Sequence, residues 1–517
     1  MVFNRRGAAP VTAGVAMLSF GIMASGRCQA AATPDLVEHG KYLAILGDCQ
    51  ACHTAPSGKP FAGGLEMDTP FGKISTPNIT PDKETGIGNY TDAQFLRVLH
   101  AGIRRDGEYL YPVMPFPWYT KVTDDDGLAI KAYLFSLAPI HAPRPPLQIS
   151  FPFNVRSGLA VWDKLFLKEG VFKPDPSKSP EINRGAYIVQ GLAHCGECHD
   201  GRNLLGAGAV AKPLQGGPID HWYAPNITSD VHTGIGRYTD DQLFMFLKTG
   251  TAPGVGTVIG PMAQTQHESL SKLTDSDLHA VVAYLKSTKP EAGFTQRHLA
   301  GFAHGDMPGA ESYLNHCASC HQLDGKGVGH TIPTLVGNGA VMSGGPQTVI
   351  EAVLGGIEAQ GTYGPMPAVG TGMSDQEVAD AANYVRAAWG NNAPAAVGPG
   401  EVASLRKQVH TYLSGTLPGF CPTLADPSLK QFVDRPDVQA LLAHTDEGNI
   451  LQNVNSILAL AKTGDNNAKQ RDLVNSLSIG YCQTLQKDQA LSEPQRLAML
   501  NQFGERVYTQ VDHGGAQ

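Results

Sequence analysis

Three short segments of this chain carry the same chemistry: G-D-C-Q-A-C-H-T (47–54), H-C-G-E-C-H-D (194–200) and H-C-A-S-C-H-Q (316–322). Each sets two thiols three residues apart, with an imidazole directly after the second. Such a group can be a redox dithiol, half of a zinc site, or the anchor of a covalently attached haem. A structural zinc ion wants four ligands, ordinarily two such pairs in one unit, and each segment supplies a single pair. A thioredoxin-like dithiol wants a βαβ setting, whereas the surrounding sequence is helical in pattern and rich in glycine. Haem attachment uses the whole group: both thiols add to the vinyl groups of one porphyrin, and the histidine is held beneath the iron. Three chance matches in a chain with nine cysteines are implausible. The expectation is three covalently bound haem c groups, on Cys49 and Cys52 with His53, on Cys195 and Cys198 with His199, and on Cys317 and Cys320 with His321.

The opposite axial position is legible too. Each group is followed by a methionine beside a proline, in Y-P-V-M-P-F-P (111–117), I-G-P-M-A-Q (259–264) and Y-G-P-M-P-A (363–368). Met114, Met262 and Met366 are the expected sixth ligands, presented from loops that proline stiffens. A thioether opposite imidazole raises the potential and suits electron transfer. A multihaem enzyme, for example a peroxidase, would need an open or displaceable position and a distal acid or base. Because every unit offers a methionine, a relay without substrate chemistry is favoured. His194 and His316 precede cysteines and are expected at the surface. His100, Arg104 and Arg105 in H-A-G-I-R-R-D-G either face haem propionates or sit on a solvated loop. Asn78 and Asn226 are expected to organise turns.

The elements that hold these residues repeat. T-P-N-I-T-P-D-K-E-T-G-I-G-N-Y-T-D (76–92) returns as A-P-N-I-T-S-D-V-H-T-G-I-G-R-Y-T-D (224–240), and Asn78 to Met114 spans 36 residues, as does Asn226 to Met262. A helix with a glycine and an aromatic leads into each cysteine group, at 39–46, 184–190 and 309–314. An amphipathic helix capped by acids closes each unit, at 124–134, 274–285 and 374–385. Tyr133, Tyr284 and Tyr384 share one place in the closing helices and are expected between first and last helices. The third unit is a cousin: it has T-I-P-T-L-V-G-N (331–338) in place of the Asn-Ile-Thr segment, and its histidine-to-methionine spacing is 45 residues against 61 and 63. The expected architecture is all-α: domains over 33–140, 181–290 and 303–392, a linker over 141–180, and a small helical extension over 400–517. In that extension Ile450, Val454, Ile457, Leu458 and Ala461 form one stripe, and Leu497, Leu500, Phe503 and Val507 another. Cys421 and Cys482 can be bridged there across some sixty residues, worth about 4 kcal/mol.

The totals fit several modules in one chain of 517 residues. Arg5 and Arg6 precede an apolar run that ends in small residues at 30–32, the pattern of an export signal over 1–30. An uncleaved anchor is the alternative. Cleavage near residue 30 removes Arg5, Arg6 and Arg27 and no acid, taking the net charge from −8 to −11. An acidic chain has no electrostatic case for nucleic acid or an anionic membrane surface. The expected location is the periplasm, where a disulfide is allowed.

Residues 35–390 resemble the tri-haem cytochrome c subunit of bacterial periplasmic alcohol, gluconate, fructose and sorbitol dehydrogenase complexes. The resemblance is carried by Y-L-A-I-L-G-D-C-Q-A-C-H-T, the two Asn-Ile-Thr segments, G-L-A-H-C-G-E-C-H, G-P-M-A, C-A-S-C-H-Q-L-D-G-K-G and the linker phrase F-P-F-N-V-R-S-G-L-A-V-W (151–162). It implies tandem cytochrome c-like domains that take electrons from a catalytic subunit carrying flavin, pyrroloquinoline quinone or molybdenum. It also implies delivery towards ubiquinone in the cytoplasmic membrane. The polar tail departs from the apolar or amphipathic anchor usual in the family. A downstream cytochrome or oxidase therefore stays open as acceptor, as does peripheral membrane association through a complex.

Overall fold

The computed structural model describes residues 33–510 except 70, 209–211, 295–306, 330–331, 362, 395–396, 410–426, 447, 463–469, 489, 492–494, 497–498, 501, 505 and 508–509. The expected signal over 1–30, Cys28 and Cys421 lie outside the described residues; Cys482 is disulfide-bonded. The chain is mostly helical, and its strands form short antiparallel pairings, such as Glu66–Thr69 with Gly72–Ser75 and Gly217–Ile219 with Trp222–Ala224.

Each cysteine group is preceded by an opening helix, Pro34–Leu46, Pro180–Tyr187 or Ala310–His316, packed on a closing helix, Asp124–Ser136, Asp275–Ser287 or Asp375–Ala387. The closing helices start where the sequence says they should. Thr123, Thr274 and Ser374 cap them by accepting the backbone N–H three residues on, and acids fill the first turn. The opening-helix glycines let the two helices touch. A Cβ at Gly40, Gly185 or Gly309 would stand 1.8, 1.9 or 2.1 Å from the carbonyl oxygen of Ala129, Ala280 or Asp380.

The first two units share one continuous apolar core running from Leu43 to Leu285. They join by a reciprocal pairing that neither unit's sequence shows alone. Tyr42 Oη donates to Asp277 Oδ2 at 2.6 Å, and Tyr187 Oη donates to Asp126 Oδ2 at 2.5 Å. The tyrosines occupy the same place in the two opening helices and the aspartates the same turn of the two closing helices. Equivalent positions bonded in both directions make the contact two-fold in kind. Arg184 grips Asp277 through two 2.8 Å bonds; burial opposes that carboxylate's charge, but the bonds from Arg184 and Tyr42 hold its pKa below the usual value.

A second core, Met307 to Leu405, belongs to the third unit and includes Val402 and Leu405 from the helix Pro399–Arg406, within the stretch expected as extension. Arg406 fastens that helix by bonds to Asp375 and the carbonyls of Gly370 and Met373. A third core is built by the tail, where Ile450, Val454, Ile457, Leu458, Ala461, Leu500, Phe503 and Val507 are all buried, while Leu497 lies outside the described residues. Units two and three meet through Tyr223, whose N–H donates to Thr348 Oγ1 and whose carbonyl accepts from it, and through Tyr238 Oη donating to the Gly337 carbonyl at 2.8 Å.

Candidate haem sites

Each C-x-x-C-H group is one helical turn closed by a bond from the histidine N–H to the first cysteine's carbonyl, at 3.0, 2.9 and 2.9 Å. Side chains three and four apart lie on one face of such a turn, so the two sulfurs and the imidazole emerge together. All six cysteines are free. Burial pushes the thiols of Cys49, Cys52, Cys195, Cys198 and Cys317 up to about 12 and raises that of Cys320 as well. They are neutral thiols, unlike the low-pKa pair of a dithiol oxidoreductase. Among the described residues no three histidine, cysteine or acidic side chains gather as a metal site.

The histidines are oriented by partners that sequence reading missed. Nδ1 of His53 meets the Pro77 carbonyl at 2.8 Å, Nδ1 of His199 the Pro225 carbonyl at 2.7 Å, and Nδ1 of His321 the Pro333 carbonyl at 3.3 Å. A carbonyl accepts, so Nδ1 carries the proton and Nε2 is left with its lone pair for a ligand. Burial lowers all three imidazole pKa values, that of His321 to about 4, which keeps the rings neutral. The signal was present in the sequence as T-P-N-I-T, A-P-N-I-T and T-I-P-T. A glycine secures each arrangement: Gly63, Gly216 and Gly327 donate to the carbonyls of His53, His199 and His321. All three have positive φ, and a Cβ on Gly63 would stand 2.4 Å from the Pro77 carbonyl carbon.

The asparagines after the prolines shape turns. Asn78 Oδ1 accepts from the Thr80 N–H and its amide donates to the Ile140 carbonyl; Asn226 repeats this with Thr228 and Glu291. Met114 and Met262 are half-buried against the shared core. Met262 is the second residue of the helix Pro261–Glu268, where a loop was expected, because Pro261 suits a first helical turn. Met366 lines one cavity with Cys317, Cys320 and His321. That cavity holds about 1580 Å³ of free space, its open mouth included, between largely apolar walls. Its walls come from three places: the third unit itself, Thr257 and Ile259 of the second, and Ser478, Ile479, Cys482 and Leu500 of the tail. Gly504 lies so close to the cysteine turn that a Cβ there would stand 2.5 Å from Ser319 Cβ.

Three further placements refine the sequence reading. His194, expected at the surface, is half-buried with its ring 5.4 Å from Tyr119, because units one and two close over it. His316 also lines the cavity and faces Glu377 at 3.8 Å. Arg105 is exposed and Arg104 pairs with Asp106 and Glu108, whereas Arg144, missed in the sequence, acts on His53 and donates to the Ser75 carbonyl at 2.7 Å. Burial, then the charges of Arg156 and Arg104, bring Arg144 down to about 10, the signature of a positive cluster beside the first site. The turns that carry the first and second groups also adjoin. A Cβ on Gly196 would stand 2.4 Å from Trp118 Nε1; Cys52 of the first turn feels Glu197 of the second, and Cys198 feels Cys52.

Neutral paired thiols, a histidine with Nε2 free and an apolar cavity shared with methionine fit a covalently held haem. The comparisons agree. A cytochrome c family model matches residues 307–389. The chain is 39% identical over 403 residues to the cytochrome c subunit of the quinone alcohol dehydrogenase of Gluconacetobacter polyoxogenes, covering 73% of this chain and 86% of that one. It is 38% identical over 414 residues to the gluconate 2-dehydrogenase cytochrome c subunit of Pantoea cypripedii (75% and 93%). It is 40% identical over 392 residues to the fructose dehydrogenase cytochrome subunit of Gluconobacter japonicus (69% and 79%).

Proposed function

We propose a three-haem electron relay for this chain, which belongs to the family of cytochrome c subunits of alcohol, gluconate and fructose dehydrogenases. The observation that carries the reading is the histidine arrangement, met three times with Nδ1 on a proline carbonyl and Nε2 free. Haem c, when bound, supplies a one-electron ferric/ferrous couple at each site. Cys49 and Cys52, Cys195 and Cys198, and Cys317 and Cys320 hold the three groups covalently. His53, His199 and His321 would give Nε2 to the iron, and Met114, Met262 and Met366 would supply thioether ligands. Arg144, beside His53, would balance propionate charge of the first group. The three tandem units are cytochrome c domains over 33–140, 181–290 and 303–392.

The contacts suggest an order. Unit one adjoins unit two at Cys52 and Cys198, and unit two contributes Thr257 and Ile259 to the cavity of unit three. The middle site is thus the common neighbour of the other two. The linker offers a face to a catalytic subunit: Val161 and Leu165 of the helix Ser157–Phe166 are 60% and 64% exposed, and Leu204, beside the Trp162 bond to the Leu205 carbonyl, is 99% exposed. We place the protein in the periplasm, taking electrons from a flavin-, quinone- or molybdenum-bearing dehydrogenase and passing them to ubiquinone or another respiratory acceptor. Among the described residues no helix is long and apolar enough to cross a membrane.

The test is purification from the native host in mild detergent, with a pyridine haemochrome count. The expected outcome is three haems per chain, no carbon monoxide binding, and a co-purifying dehydrogenase whose substrate reduces all three. A count below three, or a carbon monoxide-binding iron in the native protein, would refute the closed relay.

A further inference from the structure

Glu351 is not among the residues that line the third cavity. It lies on the helix Gln347–Gly355, is 1% exposed, and neither carboxyl oxygen has a hydrogen-bond partner. Burying a carboxylate in this way is costly, and the run V-I-E-A-V-L is otherwise apolar. Nothing in the packing calls for an acid. What faces it is a second unit's side chain: His221 Nε2 is 4.0 Å from Glu351 Oε2, and His221 Nδ1 is 2.7 Å from Asp220 Oδ2. Side-chain exposure falls from 52% at Asp220 to 16% at His221 and 1% at Glu351, a graded path from solvent to interior. The same helix brings Thr348, Val349, Ala352 and Val353 to the third cavity.

We propose that Glu351 is a redox-linked proton acceptor of the third site, supplied from solvent through His221. Above about pH 8, where Glu351 is ionised, one proton enters for each electron that arrives at that site. His221 takes the proton on its solvent side at Nδ1, where the Asp220 carboxylate lies, and the imidazolium then yields its Nε2 proton to the Glu351 carboxylate, which leaves a neutral imidazole protonated at Nδ1. When the electron leaves, the proton retraces the path, so charge balances and no other bond changes. Burial, then the charge of Asp220, raises the Glu351 pKa to about 8, within reach of ambient pH. The other charged groups packed on this helix are engaged elsewhere. Arg386 of the closing helix donates to the carbonyls of Val341, Ser343, Gly345 and Pro394, Glu401 acts on Arg386, and Arg406 binds Asp375. Tyr223, on the hairpin beside His221, has its phenol raised by burial and feels Arg386.

This rests on the three-haem reading, and the experiment separates the two. The full-length haem-loaded protein is titrated spectropotentiometrically across about pH 6–10, with Met366→His identifying the third wave by its shifted potential. The third midpoint is expected to fall as pH rises in the wild type and to be flat in Glu351→Gln. Redox difference infrared spectra should show a protonated carboxyl band on reduction that Glu351→Gln lacks. His221→Phe should keep the equilibrium slope while slowing proton uptake, read with an indicator dye, at least tenfold. Three haems with a pH-independent third potential, or a slope that survives Glu351→Gln, overturns the proposal alone. A count of two with the third cavity empty overturns both readings together.

Discussion

Gly185→Ala tests the helix crossing on which the shared core depends. The added methyl would stand 1.9 Å from the Ala280 carbonyl oxygen, 2.5 Å from its carbon and 2.7 Å from Tyr284 Cβ, where ordinary contact begins at 3.4 Å. The opening helix must therefore retreat by the difference, 1.5 Å, and it cannot do so by turning a side chain, because two of the three obstacles are backbone. Retreat loosens Ile188, Leu278 and Val281, all buried in the core common to units one and two. Overpacking costs about 1–3 kcal/mol and sits at or above the upper end where backbone must move. Alanine returns up to about 1 kcal/mol of helix propensity. The net expectation is a loss of about 2–3 kcal/mol. The assay is urea unfolding of the haem-loaded protein, followed by circular dichroism and by Soret absorbance so that the first transition is assigned. Gly40→Ala, with its Cβ 1.8 Å from the Ala129 oxygen, should lose a similar amount. Gly158→Ala, whose Cβ meets nothing within 4 Å, should be neutral or slightly stabilising. If Gly185→Ala unfolds at the wild-type midpoint, the close helix crossing is wrong.

Asp277→Asn removes the charge that Arg184 and Tyr42 share across the first two units and should destabilise the protein by about 2 kcal/mol at neutral pH. Because the folded-state pKa of Asp277 is lowered, its contribution is full above the unfolded carboxyl value and is lost as pH falls through the folded value. The gap between variant and wild type should narrow below about pH 4 in acid unfolding curves; a constant gap down to the acid transition would contradict the pairing. Truncation after Gln408 removes Ser478, Ile479, Cys482 and Leu500 from the third cavity. Stopped-flow reduction by a small hydrophilic reductant should then quicken several-fold at the third site and stay unchanged at the first two. Equal rates with and without the tail would show that it shields nothing.

Much of this was written locally. The cysteine turns, the opening glycines and the capped closing helices follow from patterns a few residues long, so 39–46 and 124–134 fall inside observed helices, and 274–285 and 374–385 begin on the caps Thr274 and Ser374, one residue before theirs. The tail stripes at 450–461 and 500–507 were legible for the same reason. What was not legible depends on residues far apart in the chain. The pairing of Tyr42 with Asp277 joins positions 235 apart, and no property of either residue names the other. Arg144 sits in a proline-rich boundary that reads as a spacer until the fold brings it to His53. His194 read as surface because its burial is created by a neighbouring unit.

The divergence of the third unit has a physical account in the same terms. In units one and two, Asn78 and Asn226 reach across to the chain after the closing helix and tie it to the loop that orients the histidine. The third unit lacks that segment, and the tie runs the other way. Asn391, just after the closing helix, donates to the Leu335 and Val385 carbonyls and accepts from the Gly337 N–H. This keeps the histidine loop anchored with fewer residues, which is why the spacing from His321 to Met366 can shorten to 45. Part of the third cavity's wall comes from outside the unit: Thr257 and Ile259 from the second unit and Leu500 from the tail, whose Gly504 packs against Ser319. A tail that supplies cavity wall must fold against the third unit, so its helices are part of that site's environment and not an appendage to it.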